Sequence, residues 1–245
     1  MRRWLDGCDA RHAHDAVKQS SSWQGSFGGN FSETAEDFLP RRLIDVNSFS
    51  KDHVRLWRPS SGAKGKYIAL SHPWGAGPYF RTLKNTVSRY ETEGIPLAEL
   101  PATFSHAVSV TRALEYQYLW IDSICLVQDD PVSLAAEIKD MELVFSSASC
   151  VIAASCSAGQ RDGFLWPRAN RMCVAIERPR SSFPMYVCDA IDDFEGDVLG
   201  SVLSSRGWVL QERALARRTI FFTENQTYFE CGKGVRCETL MSMNK

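Results

Sequence analysis

The side chains with the clearest capacity for chemistry are two carboxylates, one imidazole and a set of guanidinium groups. Asp122 ends the apolar run Tyr118-Leu119-Trp120-Ile121. Such a run suits a strand buried on both faces. A charge at its end is costly unless it is paired or used, and ligands bind at the ends of parallel strands in open α/β sheets. Asp122 can equally cap the following turn, and the segment alone leaves both roles open. Glu137 lies three residues after Leu134 and four before Met141. On a helix that spacing puts it at the edge of an apolar stripe, where desolvation would raise its pKa toward the range of a working acid or base. An amphipathic rim residue with its head in water fits the same periodicity. His72 sits in Ser71-His72-Pro73-Trp74-Gly75, where a strand becomes a Pro/Gly loop. There it can carry a proton or hold the loop backbone, and Trp74 can stack on a ring or anchor the loop. Arg206, Arg213 and Arg217, at offsets of seven and four, share a helix face if the helix begins at Arg206. A stripe of this kind can hold a phosphate or form a solvated face. Glu212 beside Arg213 is expected to be salt-bridged.

Several chemistries lack their signatures. The chain has no P-loop, GxGxxG, GxSxG or HExxH pattern, which disfavours a conventional kinase, Rossmann dehydrogenase, α/β-hydrolase or zincin. The eight cysteines do not read as a disulfide framework. Cys125 and Cys150 lie in apolar runs, as small core residues do. Cys231 and Cys237 do not have zinc-ribbon spacing. Cys8 and His12 are four apart and can share a helix face, but a third ligand nearby is missing, Asp15 being a weak substitute. No metal is therefore expected, and all eight cysteines are expected as free thiols.

These residues need elements to position them. Residues 1–18 have helical spacing in Trp4, Cys8 and Arg11, and residues 19–30 read as a Ser/Gly-rich linker. The ordered domain is expected to start near Leu39 with an edge strand running to Val46. Strands follow at Val54–Trp57 and Tyr67–Leu70. A helix is expected from Pro101 to Tyr116, with Pro in its first turn. The Tyr118 strand comes next. Asp130 and Pro131 then open a second helix with Leu134, Ile138, Met141 and Phe145 as its core stripe. Cys150–Ala154 is a further strand. Strand and helix in alternation imply parallel crossovers. Beyond Gly163, short strands at Met172–Ile176, Met185–Cys188, Thr219–Phe222 and Thr227–Glu230, with one helix at Gly207–Ala216, give the C-terminal half an antiparallel character.

Bulk properties bound the class. A length of 245 residues and a hydrophobic content of 44% allow a substantial core. A net charge of -1 argues against nucleic-acid binding through bulk charge. No apolar run reaches the roughly 20 residues that cross a bilayer, and the N-terminus lacks a secretory h-region. A cytoplasmic protein is expected.

Three blocks of this sequence resemble the fungal heterokaryon-incompatibility (HET) domain. The first is Tyr67-Ile68-Ala69-Leu70-Ser71-His72-Pro73-Trp74-Gly75. The second runs from Leu100-Pro101-Ala102-Thr103-Phe104 through Leu119-Trp120-Ile121-Asp122-Ser123-Ile124-Cys125 and Gln128 to Glu137, Met141 and Ala148. The third is Arg206-Gly207-Trp208-Val209-Leu210-Gln211-Glu212-Arg213, followed by Tyr228-Phe229-Glu230-Cys231. Trp4-Leu5 with Cys8 and His12, then Leu39–Val46, looks like the usual lead-in. The chain departs from the family pattern at Leu134, where Trp is common, and near Asp15, where a second Cys is common.

The resemblance implies an N-terminal segment over residues 1–38 and a HET domain over 39–245. It implies a role in fungal non-self recognition and regulated cell death, exercised through protein partners or self-association, with no membrane or nucleic-acid partner and no required cofactor. Such proteins usually continue well beyond the third block, so this sequence is expected to be either a piece of a longer protein or a short member. HET domains also look like distant relatives of TIR domains, some of which cleave NAD. That analogy makes Glu137 the catalytic carboxylate, with His72 and Asp122 beside it. Ser71, Trp74, Arg206 and Arg213 would bind a nucleotide, and NAD or NADP would be the substrate of a glycohydrolase. A biosynthetic enzyme reusing the fold is a further alternative. The expected fold is α/β: a mainly parallel sheet flanked by helices, TIR-like or flavodoxin-like in its core, with additional antiparallel strands in the C-terminal half.

Overall fold

The computed structural model describes residues 1–12, 38–48, 50–168, 173–176, 185–188 and 191–239. The linker at 19–30 and Asp15 lie outside these residues. The first helix, α1, covers Arg2–Arg11 and buries Leu5 and Cys8 in the same core as the sheet.

Among the described residues nine strands form one mixed sheet, and its centre is built by the apolar runs that the sequence marks as buried. Strand β3 (Tyr67–Ser71) is buried throughout, as is β6 (Cys150–Ala153). These two pair in parallel, with Ser71 opposite Ala153. On one side β3 pairs in parallel with β5 (Tyr118–Trp120). On the other, β6 pairs in parallel with β9 (Arg218–Phe222). Parallel strands covered on both faces carry continuous apolar sequence rather than alternation, which is why these segments were legible.

The sheet is antiparallel outside this centre. β10 (Thr227–Cys231) and β11 (Gly234–Cys237) extend it beyond β9 as a meander. On the other flank, β1 (Leu43–Asp45), β2 (His53–Trp57) and β4 (Ile95–Pro96) follow β5. The sheet is thus parallel in four strands and antiparallel at both margins, rather than mainly parallel. β1 is interior and not an edge strand: it lies between β5 and β2, with Leu43 and Ile44 fully buried. β7 (Cys173–Ile176) and β8 (Met185–Cys188) form a separate hairpin.

Helices link the parallel strands. A short helix, α2 (Val87–Thr92), precedes β4. Then α3 (Ala102–Ala113) starts after Pro101 and buries Phe104, Ala107, Val108 and Thr111. One helical turn, α4 (Asp122–Cys125), follows β5 directly. The second expected helix is divided at Asp140 into α5 (Pro131–Lys139) and α6 (Met141–Ser147). Asp130 caps α5 by accepting the Ser133 amide. The division changes which residues face inward: Glu137 is buried whereas Ile138 is 48% exposed. The last helix, α7, covers Gly207–Leu215.

Candidate functional site

The chain leaves β3 toward β5 but leaves β6 toward β9 on the opposite side. The carboxyl ends of β3 and β6 are therefore the switch point of the sheet, the position at which ligands bind in open α/β sheets. Ser71 is the last residue of β3 and His72 the first of its loop. Asp122 emerges from the neighbouring β5. The turn after β6 closes against the β3 loop there, with Gly75 and Gly159 meeting backbone to backbone. A Cβ on Gly75 would come within 2.7 Å of the Gly159 Cα, and Gly75 itself has φ of +72°, a conformation open to glycine at little cost.

Most of the sequence-derived candidates meet here. The Trp74 indole Nε1 donates to Asp122 Oδ2 at 2.7 Å. Asp122 Oδ1 accepts the Ser123 amide at 2.6 Å, so this carboxylate both starts α4 and holds the indole. His72 Nδ1 is 3.9 Å from Asp122 Oδ1. Its ring meets Phe104 edge-on, with centroids 5.0 Å apart, and its buried Nε2 has no hydrogen-bond partner among the described residues. Burial pushes the His72 pKa below the ordinary imidazole value; Asp122 opposes that shift and Arg206 adds to it. The ring is thus neutral near pH 7. Arg206 Nη1 donates to the His72 carbonyl at 2.6 Å, fastening the start of α7 to this loop.

Glu212 is the member that sequence reasoning placed elsewhere. The expected salt bridge is not found among the described residues, Arg213 being paired with Glu230. The Glu212 carboxyl group is hydrogen-bonded to the Ser71 hydroxyl. Burial pushes its pKa up to about 7, opposed by the Ser71 hydrogen bond, with the charge of Asp122 raising it further and Arg206 lowering it. Glu212 also lines a cavity of about 320 Å³ between α6 and α7, with Met141, Phe145, Trp208 and Leu215 among its other walls. The arrangement can hold or release a proton near neutral pH at the edge of a mostly apolar cleft.

Glu137 and Arg213 have other partners. Arg42 Nη1 reaches both Glu137 oxygens, at 3.2 and 3.3 Å, and also the Cys125 carbonyl. Ser133 Oγ donates to Glu137 Oε1 at 2.6 Å, and Arg41 lies 3.8 Å away. Arg213 forms a two-pronged pair with Glu230, at 2.7 and 2.9 Å, and lies over the Phe194 and Phe221 rings. Arg206 and Arg213 thus have separate tasks instead of forming one anion-binding stripe.

Among the described residues, one group has metal-ligand chemistry: Cys8, His12 and Cys231. It lies at the opposite end of the strands, where Cys231 is paired with Arg218 at the start of β9. No helix among the described residues is long and apolar enough to cross a membrane.

A family model described as "Heterokaryon incompatibility protein (HET)" matches residues 67–212, the interval from the start of β3 to Glu212. A curated relative, "Heterokaryon incompatibility protein 6, OR allele" of Neurospora crassa, is 35% identical over 94 residues. The match covers 35% of this chain and 14% of that protein. No solved structure matches. The matched interval holds Ser71, His72, Trp74, Asp122, Arg206 and Glu212, and this chain belongs to the heterokaryon incompatibility (HET) family.

Proposed function

We propose that this HET domain acts by protein association in non-self recognition leading to regulated cell death. The observation that carries this reading is the surface of α7. That helix buries one residue, Val209, while Trp208 is 66% exposed and Leu210 is 72% exposed. Large apolar side chains on an exposed helix are a common feature of association surfaces, and tryptophan is enriched among the residues that dominate binding energy. Arg206 ties the helix to the His72 loop, so a partner on α7 would be sensed at the strand ends. In this reading the partners are proteins or further copies of the chain, in the cytoplasm, without a required cofactor.

The test is a Trp208→Ala/Leu210→Ser double variant expressed in fungal cells beside the parent. The variant should keep its circular dichroism spectrum and thermal midpoint, yet lose both the cross-linked complexes and the growth arrest. A folded variant that still associates and arrests growth like the parent would overturn the reading.

A second reading, NAD(P) glycohydrolysis by a TIR-like core, draws on the Glu212–Ser71–Asp122 cluster, in which one carboxyl group titrates near neutral pH. Either Glu212 or Glu137 would stabilise the developing positive charge on the ribose, with Trp74 stacked on a base and Arg206 near the pyrophosphate. Incubation with NAD or NADP while nicotinamide is monitored decides it. Turnover lost in Glu212→Gln or in Glu137→Gln would assign the carboxylate, and no turnover by the parent would leave association alone.

A further inference from the structure

We propose that Cys8, His12 and Cys231 form a zinc site that fastens the N-terminal helix to the antiparallel margin of the sheet. The first two donors come from one helix end. Cys8 is fully buried in α1, and His12 is the residue that ends it, with its amide bonded to the Cys8 carbonyl at 2.8 Å. The third donor comes from the last residue of β10. One ligand atom from each residue lies within 4.8 Å of the others, and His12 Nδ1 is 3.5 Å from Cys231 Sγ.

That spacing fits a metal. Tetrahedral zinc with ordinary Zn–S and Zn–N bonds holds its ligand atoms roughly 3.5–3.8 Å apart. The cluster would need only a small contraction to reach it. Two thiolates and an imidazole are soft and borderline donors, which favour zinc over magnesium or calcium. Two thiolates also neutralise the dication, so the site would bury no net charge. Among the described residues three donors are present, and a water molecule would complete the tetrahedron they begin.

The surroundings hold the three donors in place without metal. Trp4 packs on Phe229 with ring centroids 6.0 Å apart. Asp9 pairs with Arg218, which also donates to the Ser149 carbonyl at 2.7 Å. Helix α1 is thus docked on β9 and β10 by contacts on both sides of Cys8. A preformed site loses less freedom on binding metal, and binding to the folded form alone stabilises it.

The experiment uses the full chain, purified under reducing conditions without added metal. Its zinc content should be one per chain. Removing the zinc with a chelator should lower the thermal midpoint. Cobalt(II) added to the apo chain should give the thiolate-to-cobalt charge-transfer absorption at one equivalent. Cys231→Ser should lose that absorption and become insensitive to chelator, whereas Cys156→Ser should behave like the parent. His12→Ala, altered at a half-buried position at the helix end, serves where Cys231→Ser does not fold. A parent chain with no bound zinc, no charge-transfer band and no zinc-dependent midpoint would overturn the proposal. So would a native Cys8–Cys231 disulfide detected by alkylation without reductant.

Discussion

Glu137 and Glu212 are two glutamates on helices that flank the same sheet, and their settings are opposite. Glu137 is buried against the Arg42 guanidinium, with Ser133 completing its hydrogen bonds. Glu212 is held by a hydroxyl and lies near a second carboxylate, Asp122. A buried carboxylate matched by a cation is part of the scaffold, because removing either partner strands a charge. Burial is what lets Glu212 keep its proton to near-neutral pH; the charge of Asp122 adds to this, while the Ser71 hydroxyl and Arg206 oppose it. Their polar partners differ as well: a guanidinium meets Glu137, and a hydroxyl meets Glu212.

The largest expected effect sharpens the scaffold side. Arg42→Ala should cost about 3–5 kcal/mol, because it leaves Glu137 buried without its cation. Denaturant melts would show it, and a midpoint like that of an exposed Arg58→Ala control would remove Glu137 from the scaffold. Trp120→Ala gives the scale for a purely apolar loss. Trp120 is 1% exposed on β5, and the change should also cost about 3–5 kcal/mol. If Arg42→Ala cost far less than Trp120→Ala, the ion pair would be a surface ornament.

The next effect lies on the Glu212 side and depends on pH. Its folded pKa, about 7, is above its ordinary value of 4.5, so the folded chain binds this proton more tightly than the unfolded chain. That contribution to stability is fully present below pH 4.5 and is lost as pH rises through about 7. With allowance for residual exposure it is on the order of 2 kcal/mol. Melts of the parent and Glu212→Gln across this range should differ in slope, the variant being flatter. Parallel profiles would break the contrast with Glu137. The smallest effect is at Trp74. Trp74→Phe removes the donor to Asp122 and should cost about 1 kcal/mol, while raising solvent access at the strand ends as read by indole quenching of the remaining tryptophans. Unchanged quenching and stability would mean that the indole does not cover Asp122.

Much of this was legible because it is local. Buried parallel strands read as continuous apolar runs, so β3, β5 and β6 were visible, and the polar residues at their ends marked the candidate site. Asp130–Pro131 announced a helix start. What could not be read was long-range pairing. Glu212 meets Ser71 across 141 residues, and Arg42 meets Glu137 across 95. Cys231 meets His12 across 219. Each partner is an ordinary residue in its own segment, and no local period reports what the fold will place beside it. The interior position of β1 escaped for the same reason, since a three-residue strand carries no sign of having neighbours on both sides. The break at Asp140 escaped because the apolar spacing continues across it, while Arg42 turns Glu137 inward.

The meeting of Gly75 with Gly159 makes the strand ends behave like a latch with no side chain in its catch. Thr103 at the start of α3 donates its hydroxyl to the Gly159 carbonyl, at 2.8 Å, and its amide to the Gln160 carbonyl, at 3.0 Å. The Gln160 amide reaches the Trp74 carbonyl at 3.4 Å. A methyl group at either glycine would wedge the two backbones apart. It would lift Trp74 from Asp122 without altering one polar atom of the cluster. Inactivating variants of this domain should therefore arise at two positions that carry no chemistry, and relief of one by a change at the other would be blocked, because each backbone is the other's seat.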